Sequence, residues 1–252
     1  MRCEVTHFLR GTHVISSIIH QMQSNIQNNS ASVTRRIFVI GGIGSGKSSV
    51  CEILEEEYGF PVIDLDKLGH DILEDAEVKE AVRAAFGEGV FTEARIDRKK
   101  LGELAFSSEK NREELEAITH PAIARKAEEI AEKLTTEGNC SAVIFEVTAF
   151  REDEFKKYYF REGDLVVLVT ADFDKRVVRL KDSRDLNEEQ VRQITKQQLS
   201  DDEFKEFADV VIENNSDLNS LSRQMSQTLR TFDSFCQNPR QIVSQTSVRF
   251  DS

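Results

Sequence analysis

Short apolar segments and longer amphipathic segments alternate along the central part of this chain. The apolar segments span four to six residues and are rich in β-branched side chains, as is typical of parallel strands that are buried on both faces. Five such strands are predicted, over 37–41, 61–64, 142–147, 165–170 and 210–213. The alternation predicts an α/β fold with a doubly wound parallel sheet of five strands, which binds its ligands at the carboxyl ends of the strands.

Apolar residues recur with helical spacing between these strands. The predicted helices cover 46–57, 66–74, 77–86, 110–119, 121–136, 173–182, 187–198 and 217–232. A break is predicted at His120 and Pro121, because proline disfavours α geometry in the residue before it. Pro121 then suits the first position of a new helix, which Thr119 or His120 would cap.

The two ends of the chain are more polar than its centre. Residues 1–34 include runs of glutamine, asparagine and serine that cannot bury enough apolar surface to become ordered. We predict a disordered extension there, or a start codon placed too early with Met22 as the true start, and a weak resemblance to a transit peptide is also noted. Residues 234–252 are predicted to form a flexible tail, which leaves one domain over 35–233.

The charge balance excludes several classes of function. The chain of 252 residues has a net charge of −12, and such a surface repels nucleic acid. No apolar run approaches the roughly 20 residues that span a bilayer. The four cysteines contain no Cys-x-x-Cys pair, which argues against a metal cluster or a disulfide framework. We expect a cytoplasmic protein, a monomer or weak homo-oligomer, without nucleic-acid or membrane partners.

A glycine-rich segment between the first strand and the first helix carries the main functional signal. Residues 41–48 read Gly-Gly-Ile-Gly-Ser-Gly-Lys-Ser and match the phosphate-loop pattern, flanked by the strand and the helix that this loop requires. The glycines let successive backbone N–H groups point at one anion, and the helix N-terminus adds its dipole there. The loop therefore predicts a nucleoside triphosphate site, with Lys47 at the β- and γ-phosphates and Ser48 on Mg²⁺.

Two carboxylates follow the second predicted strand. Asp64 and Asp66 are two positions apart, so alternation along a strand would place both on one side, beside the phosphate loop. One of them could accept the proton of a substrate hydroxyl, and the other could hold Mg²⁺ through water. Asp66 is interpreted as the general base and Asp64 as the residue nearer the metal. The alternative is that Asp66 only caps the following helix.

Two further groups of charged residues have both a functional and a structural interpretation. Glu146 ends an apolar strand, where it resembles a carboxylate that binds Mg²⁺ through water, although a surface-exposed strand end fits the pattern as well. A cluster of cations either clamps phosphates as the site closes or forms a solvated helix face. The cluster comprises Lys175, Arg176, Arg179, Lys181 and Arg184.

Taken in order, several motifs resemble the dephospho-coenzyme A kinase family over about residues 36–232. The resemblance implies a P-loop kinase fold with a helical substrate-binding region after the second strand and a small lid. The motifs are the phosphate loop at 41–48, Val-Ile-Asp-Leu-Asp at 62–66, Phe86-Gly87, Asp97-Arg98, Leu101-Gly102, Phe106, His120-Pro121, and Ala-Asp-Val-Val-Ile-Glu-Asn-Asn at 208–215.

The resemblance also implies an activity. Such kinases transfer the γ-phosphoryl group of ATP to the 3′-hydroxyl of dephospho-coenzyme A, the last step of coenzyme A biosynthesis. Carried over position by position, Gly44, Ser45, Gly46, Lys47, Ser48 and Ser49 hold ATP, and Asp66 matches the family's proposed general base. The residues themselves further predict Lys47 and Asp64 as catalytic residues, Mg²⁺ on Ser48, Asp64 and Glu146, and nucleotide contacts from Gly42, Ile43 and Arg184.

This chain departs from the family pattern at three places. Where the family usually reads Asp-x-Pro-Leu-Leu-Phe-Glu, residues 146–152 read Glu-Val-Thr-Ala-Phe-Arg-Glu. Ser183 takes the place of the lid arginine, with Arg184 one residue later, and Phe204 stands where lysine or arginine is common. Two alternatives therefore stay open: a kinase of the same architecture for another nucleoside or nucleotide, and a nucleotide-binding regulator with weak catalysis.

Overall fold

The computed structural model describes residues 35–138, 140–148 and 150–237. The prediction for residues 1–34 lies outside the described residues, and so does the predicted tail from residue 238 onward, whereas residues 234–237 of that tail belong to a helix that ends at Gln237. Within the described part of the chain, strands and helices alternate as predicted, and no helix there is both long and apolar enough to cross a membrane.

Five parallel strands form the central sheet. The strands of the protein are β1 (Arg35–Ile40), β2 (Val62–Asp64), β3 (Phe91–Thr92), β4 (Arg95–Ile96), β5 (Ala142–Glu146), β6 (Leu165–Thr170) and β7 (Val210–Glu213). The order in the sheet is β2-β5-β1-β6-β7, whereas β3 and β4 pair antiparallel in a separate hairpin. The strand that precedes the phosphate loop is therefore central, and the prediction of a five-stranded parallel sheet is confirmed.

Helices connect the strands and cover both faces of the sheet. They are α1 (Lys47–Tyr58), α2 (Leu65–Asp71), α3 (Ala76–Phe86), α4 (Arg98–Ala105), α5 (Glu109–Gly138), α6 (Glu152–Glu154), α7 (Phe173–Arg184), α8 (Glu188–Thr195), α9 (Asp201–Lys205) and α10 (Leu218–Gln237). A π-helical turn follows α6 at Phe155–Tyr159.

Each face of the sheet carries its own apolar core, because successive residues of a strand point to opposite faces. On one face, the rings of Phe38 and Phe145 stack with centroids 4.7 Å apart, close to buried alanines of α5. On the other face, Ile37 and Val39 pack with apolar residues of α1 and α10. The centre of the sheet is thus filled by apolar side chains, which leaves the strand ends for polar chemistry.

The predicted helix break at His120 and Pro121 is wrong. Helix α5 runs through both residues as one element of 30 residues. Proline removes one backbone hydrogen bond and disfavours the helical conformation in the residue before it. The free energy gained by burying apolar side chains can exceed this cost. Ala122, Ile123 and Ala127, just after the proline, are buried against the core, and this burial keeps the helix continuous.

The hairpin β3–β4 and the helices α4, α6 and α9 were not predicted. The turn between β3 and β4 places Glu93 and Ala94 at φ values of 50° and 65°, which glycine or asparagine usually supplies. Helix α4 is short and begins after Asp97, whose Oδ1 accepts hydrogen bonds from the N–H groups of Lys99 and Lys100. Short elements without the usual turn residues give little periodic signal, which explains why the pattern missed them.

Candidate active site

The phosphate loop lies at the carboxyl end of β1 and leads directly into α1. Gly46, just before the helix, has a φ of 96°, and a Cβ there would lie 2.1 Å from Nδ2 of Asn214. A Cβ at Gly41 would lie 2.2 Å from the carbonyl oxygen of Val169. Both positions therefore require glycine, because the loop bends tightly and lies against the neighbouring strands.

Side chains from the second half of the chain hold the outer face of the loop. Nδ2 of Asn214 donates to the carbonyl oxygen of Ser45 at 2.9 Å, and Nη1 of Arg179 donates to the same oxygen at 3.2 Å. The N–H of Ile43 donates to Oε1 of Gln198 at 2.8 Å. Three side chains thus hold the loop through hydrogen bonds, and one of the predicted phosphate-binding amides, that of Ile43, already has a protein partner.

Lys47 is buried beneath the loop, with 7% of its surface exposed. Its Nζ donates to the carbonyl oxygens of Gly41 at 2.9 Å and Gly42 at 3.3 Å. Burial lowers the pKa of Lys47, and the Glu146 carboxylate partly opposes this effect. A poorly solvated ammonium gains strongly from an anion beside it, so the position of Lys47 suits the phosphates of a nucleotide.

Three oxygen-bearing side chains meet on the other side of the loop. The Ser48 hydroxyl donates to Oε1 of Glu146 at 2.8 Å, and Glu146 is paired with Asp64 in the register of β5 and β2. Glu146 is 9% exposed, so the interpretation of a surface-exposed strand end is wrong. Oxygen donors of this kind suit Mg²⁺, which binds to one or two carboxylates together with substrate phosphates.

The described residues contain no group of three or more histidine, cysteine, aspartate or glutamate side chains that would hold a metal by themselves. Ser48, Asp64 and Glu146 therefore fit an ion that phosphate oxygens and water also ligate, not a metal held by the protein alone.

Asp64 and Asp66 have different roles in the local structure. Strand β2 ends at Asp64 and α2 begins at the next residue, so the alternation that was expected to align the two carboxylates does not reach Asp66. Oδ1 of Asp64 accepts hydrogen bonds from the N–H groups of Asp66 at 2.9 Å and Lys67 at 3.0 Å. The helix cap is therefore Asp64, and the interpretation of Asp66 as a cap is wrong. Asp66 is exposed, and its negative charge acts on Lys47.

The cations of the predicted cluster do not share one role. Arg176 is buried, and its Nη2 donates to both carboxylate oxygens of Asp201, at 2.7 and 2.6 Å. Arg179 holds the loop, since its Nη2 also donates to the carbonyl oxygen of Asn214 at 2.7 Å. The interpretation of a solvated helix face is therefore wrong for Arg176. Arg184, the last residue of α7, is exposed, and its positive charge acts on Lys47.

A cavity of about 200 Å³ opens beside Asp66. Helix α2 contributes Asp66 and His70 to its wall, and α5 contributes His120. Arg151 and Glu154, from the segment that follows β5, also line the cavity. The cavity thus has the exposed carboxylate of Asp66 in its wall, and the charge of that carboxylate acts on Lys47 of the phosphate loop. This arrangement suits an acceptor site for phosphoryl transfer.

Comparison with known proteins identifies the family. A profile of the family described as dephospho-CoA kinase matches residues 36–220. The chain belongs to the dephospho-CoA kinase family. The dephospho-CoA kinases of Fusobacterium nucleatum and Corynebacterium glutamicum are each 36% identical to it over 196 residues, which cover 77% of this chain and 97% and 95% of theirs. A Thermus thermophilus protein of known crystal structure is 31% identical, with a TM-score of 0.65 over 79% of this chain and 97% of its own.

Membership of the dephospho-CoA kinase family confirms the resemblance that the ordered motifs indicated. It also supports ATP as the phosphoryl donor and a phosphotransferase activity with an alcohol acceptor. Neither alternative, a kinase for another nucleoside or a weakly catalytic regulator, is favoured by these relatives.

Sequence reasoning missed part of the cavity beside Asp66. His120 was noted only as a motif residue, and Arg151 only as a departure from the family's Phe. Glu154 belongs to the acidic run of α6, where nothing in the local pattern separates it from its neighbours. The departure at Arg151 was the one available signal, because a charged residue in place of an apolar one indicates a changed environment.

Proposed function

We propose that this protein transfers the γ-phosphoryl group of ATP to the 3′-hydroxyl of dephospho-coenzyme A, the step that completes coenzyme A. One observation carries the proposal. In a chain of this family, the phosphate loop with Lys47 and the exposed Asp66 beside an open cavity lie at the same edge of the sheet. This arrangement brings a nucleotide and an acceptor hydroxyl together, which is most of what phosphoryl transfer needs from a protein.

The phosphate loop and Lys47 bind and neutralise the nucleotide phosphates in this proposal. The backbone amides of residues 44–49 face the phosphates, and Lys47 exchanges its carbonyl partners for phosphate oxygens. Ser48, Asp64 and Glu146 would hold Mg²⁺, which supplies charge neutralisation on the β- and γ-phosphates when bound.

Asp66 acts as the general base. Its carboxylate is exposed at the edge of the cavity and does not cap the helix, so it can accept the proton of the 3′-hydroxyl. The neighbouring Asp64 keeps the turn in place through its two hydrogen bonds to the backbone. The base is thus presented by a helix end whose geometry another residue fixes.

The purified protein with Mg·ATP and a set of acceptors provides the direct test of this function. We expect prompt ADP formation with dephospho-coenzyme A and little with nucleosides or nucleotides that lack its pantetheine arm. ADP formation with nucleosides alone, or tight ATP binding without any acceptor-dependent turnover, would contradict the proposal.

Arg184 acts as the lid cation in this proposal, although the family's lid arginine is replaced by Ser183. Arg184→Ala should lower kcat on the order of a hundredfold, because a guanidinium near the transferred group stabilises charge that develops in the transition state. Ser183→Ala is the matched control: the Ser183 hydroxyl donates to the carbonyl oxygen of Arg179, and its loss should change kcat little. Equal effects of the two variants would exclude the assignment.

Glu146 sets the Mg²⁺ requirement in this proposal. In Glu146→Gln, the side-chain carbonyl can still accept from Ser48, but the negative charge is lost. The Mg²⁺ concentration for half-maximal rate should then rise on the order of tenfold. The exposed Glu152 provides a control through Glu152→Gln, which should leave the Mg²⁺ titration unchanged. An unchanged titration in Glu146→Gln would remove Glu146 from the metal site.

We further propose that the protein works in the cytoplasm as a monomer or weak homo-oligomer and does not bind nucleic acid. The net charge of −12 supports the last point, since a surface of this sign repels polyanions. Light scattering on the purified protein at several concentrations would test the oligomeric state.

A further inference from the structure

A histidine and a glutamate form a close pair inside the cavity beside Asp66. His120 comes from the middle of α5 and Glu154 from α6, and Nδ1 of His120 lies 2.9 Å from Oε2 of Glu154. Each side chain is 22% exposed, so both are half-buried in the wall. The imidazole ring also packs edge-on against the ring of Tyr158, with centroids 6.2 Å apart. The orientation of the ring is therefore held from two directions.

Burial of the pair favours a neutral imidazole. Burial lowers the pKa of His120 and raises the pKa of Glu154. A second carboxylate, that of Glu116, forms ion pairs with the guanidinium groups of Arg151 at 3.1 Å and Arg112 at 3.7 Å. The guanidinium group of Arg151 also lies 3.9 Å from the carboxylate of Glu154. Two carboxylates thus face two guanidinium groups, and the cluster is balanced without a charge on His120.

A neutral His120 has one donor and one acceptor nitrogen. The nitrogen that faces the Glu154 carboxylate, Nδ1, carries the proton and donates it, which leaves Nε2 as an acceptor. Among the residues that the structure describes, we find no hydrogen-bond partner for Nε2. The pair therefore offers the cavity acceptor atoms, namely the imidazole nitrogen and carboxylate oxygens, and no donor.

Acceptor atoms select the part of the substrate that can bind there. A phosphate group is unsuited, because its oxygens would face a carboxylate and a nitrogen lone pair. A neutral group that carries N–H bonds is suited, since it satisfies these acceptors directly. Dephospho-coenzyme A, the acceptor in the proposed function, has such a group near its 3′-hydroxyl: the exocyclic amine of its adenine ring.

We propose that His120, oriented by Glu154, recognises the exocyclic amine of the adenine base of the acceptor and so determines base specificity. This inference rests on the proposed function for the identity of the acceptor. His120 is the specificity residue that contacts the base, and Glu154 is a positioning residue that fixes the imidazole tautomer.

Direct binding measurements test this inference without depending on phosphoryl transfer. The dissociation constants of dephospho-coenzyme A and of its hypoxanthine counterpart, in which an oxo group replaces the amine, would be compared by calorimetry in the absence of ATP. The amino form should bind at least about tenfold more tightly, because the oxo group directs an acceptor at the acceptor atoms that the amine would satisfy. A ratio within twofold of unity, or no binding of either compound, would overturn the inference, whereas failed phosphoryl transfer with normal discrimination would count only against the proposed function.

Two variants then locate the discrimination. His120→Phe keeps an aromatic ring next to Tyr158 but removes both nitrogens. Glu154→Ala removes the carboxylate that fixes the imidazole tautomer. Both should bring the ratio of the two dissociation constants close to one. His70→Phe changes the other histidine that lines the same cavity and should keep the parental ratio. Because a ratio compares two ligands on one protein, partial unfolding affects both terms equally, and a parental ratio in His120→Phe would overturn the assignment.

Discussion

Lys47→Ala is expected to lower turnover at least about a hundredfold with Mg·ATP and dephospho-coenzyme A. Its ammonium is the buried cation beneath the phosphate loop, and the loop's other groups cannot replace a full charge. The rate would be measured at saturating acceptor, with Lys99→Ala, an exposed lysine of α4, as the control. Near-parental turnover in Lys47→Ala would show that the assignment of the phosphate loop is wrong.

The same substitution should leave the fold intact. In the folded state, burial lowers the pKa of Lys47 below about 10.5, the usual value, which the unfolded state keeps. The folded state therefore binds this proton less readily than the unfolded state does. Keeping the ammonium charged at neutral pH therefore costs folding free energy, and its removal relieves that cost. Thermal unfolding of Lys47→Ala should occur at or slightly above the parental temperature, and a large decrease would indicate a structural role.

Asp66→Asn should lower turnover on the order of a hundredfold or more, with ATP affinity largely retained. Asparagine keeps the size and shape of the side chain but cannot accept a proton at neutral pH. The helix should be unaffected, because the cap is Asp64, whose hydrogen bonds involve only the backbone N–H of Asp66. The rate of phosphoryl transfer and the affinity for ATP, both measured on this variant, distinguish a general base from a residue at the metal.

Asp71→Asn is the matched control for this variant. Asp71 is an exposed aspartate at the other end of α2 and does not line the cavity beside Asp66. Its substitution should leave both the rate and the ATP affinity unchanged. A normal rate in Asp66→Asn would reject the general-base role, and a loss of ATP binding would instead place Asp66 at the metal.

The amino-acid sequence alone predicted those features of the fold that depend on neighbouring residues. The five strands, the glycine-rich loop and the roles expected of Lys47 and Ser48 depend on residue order within a short stretch, since backbone conformation and loop geometry follow from neighbouring residues. Positive φ at Gly46 and the contact between Ser48 and Glu146 agree with that prediction. The ordered motifs also identified the family, because their spacing reflects one connected fold.

Only the tertiary structure decided features that depend on residues far apart in the chain. The long helix α5 continues through Pro121 because buried alanines after it pack on the core, which a local rule on proline does not take into account. Among the clustered arginines, Arg176 has a structural role because Asp201 lies beside it in space. Arg179 has one because it lies beside Asn214. The pairing of His120 with Glu154 likewise joins two elements that are 34 positions apart, and no periodicity encodes such a contact. Sequence thus determined the strands, the glycine-rich loop and the family, whereas long-range packing determined the cavity beside Asp66, since its walls come from separate segments that only folding brings together.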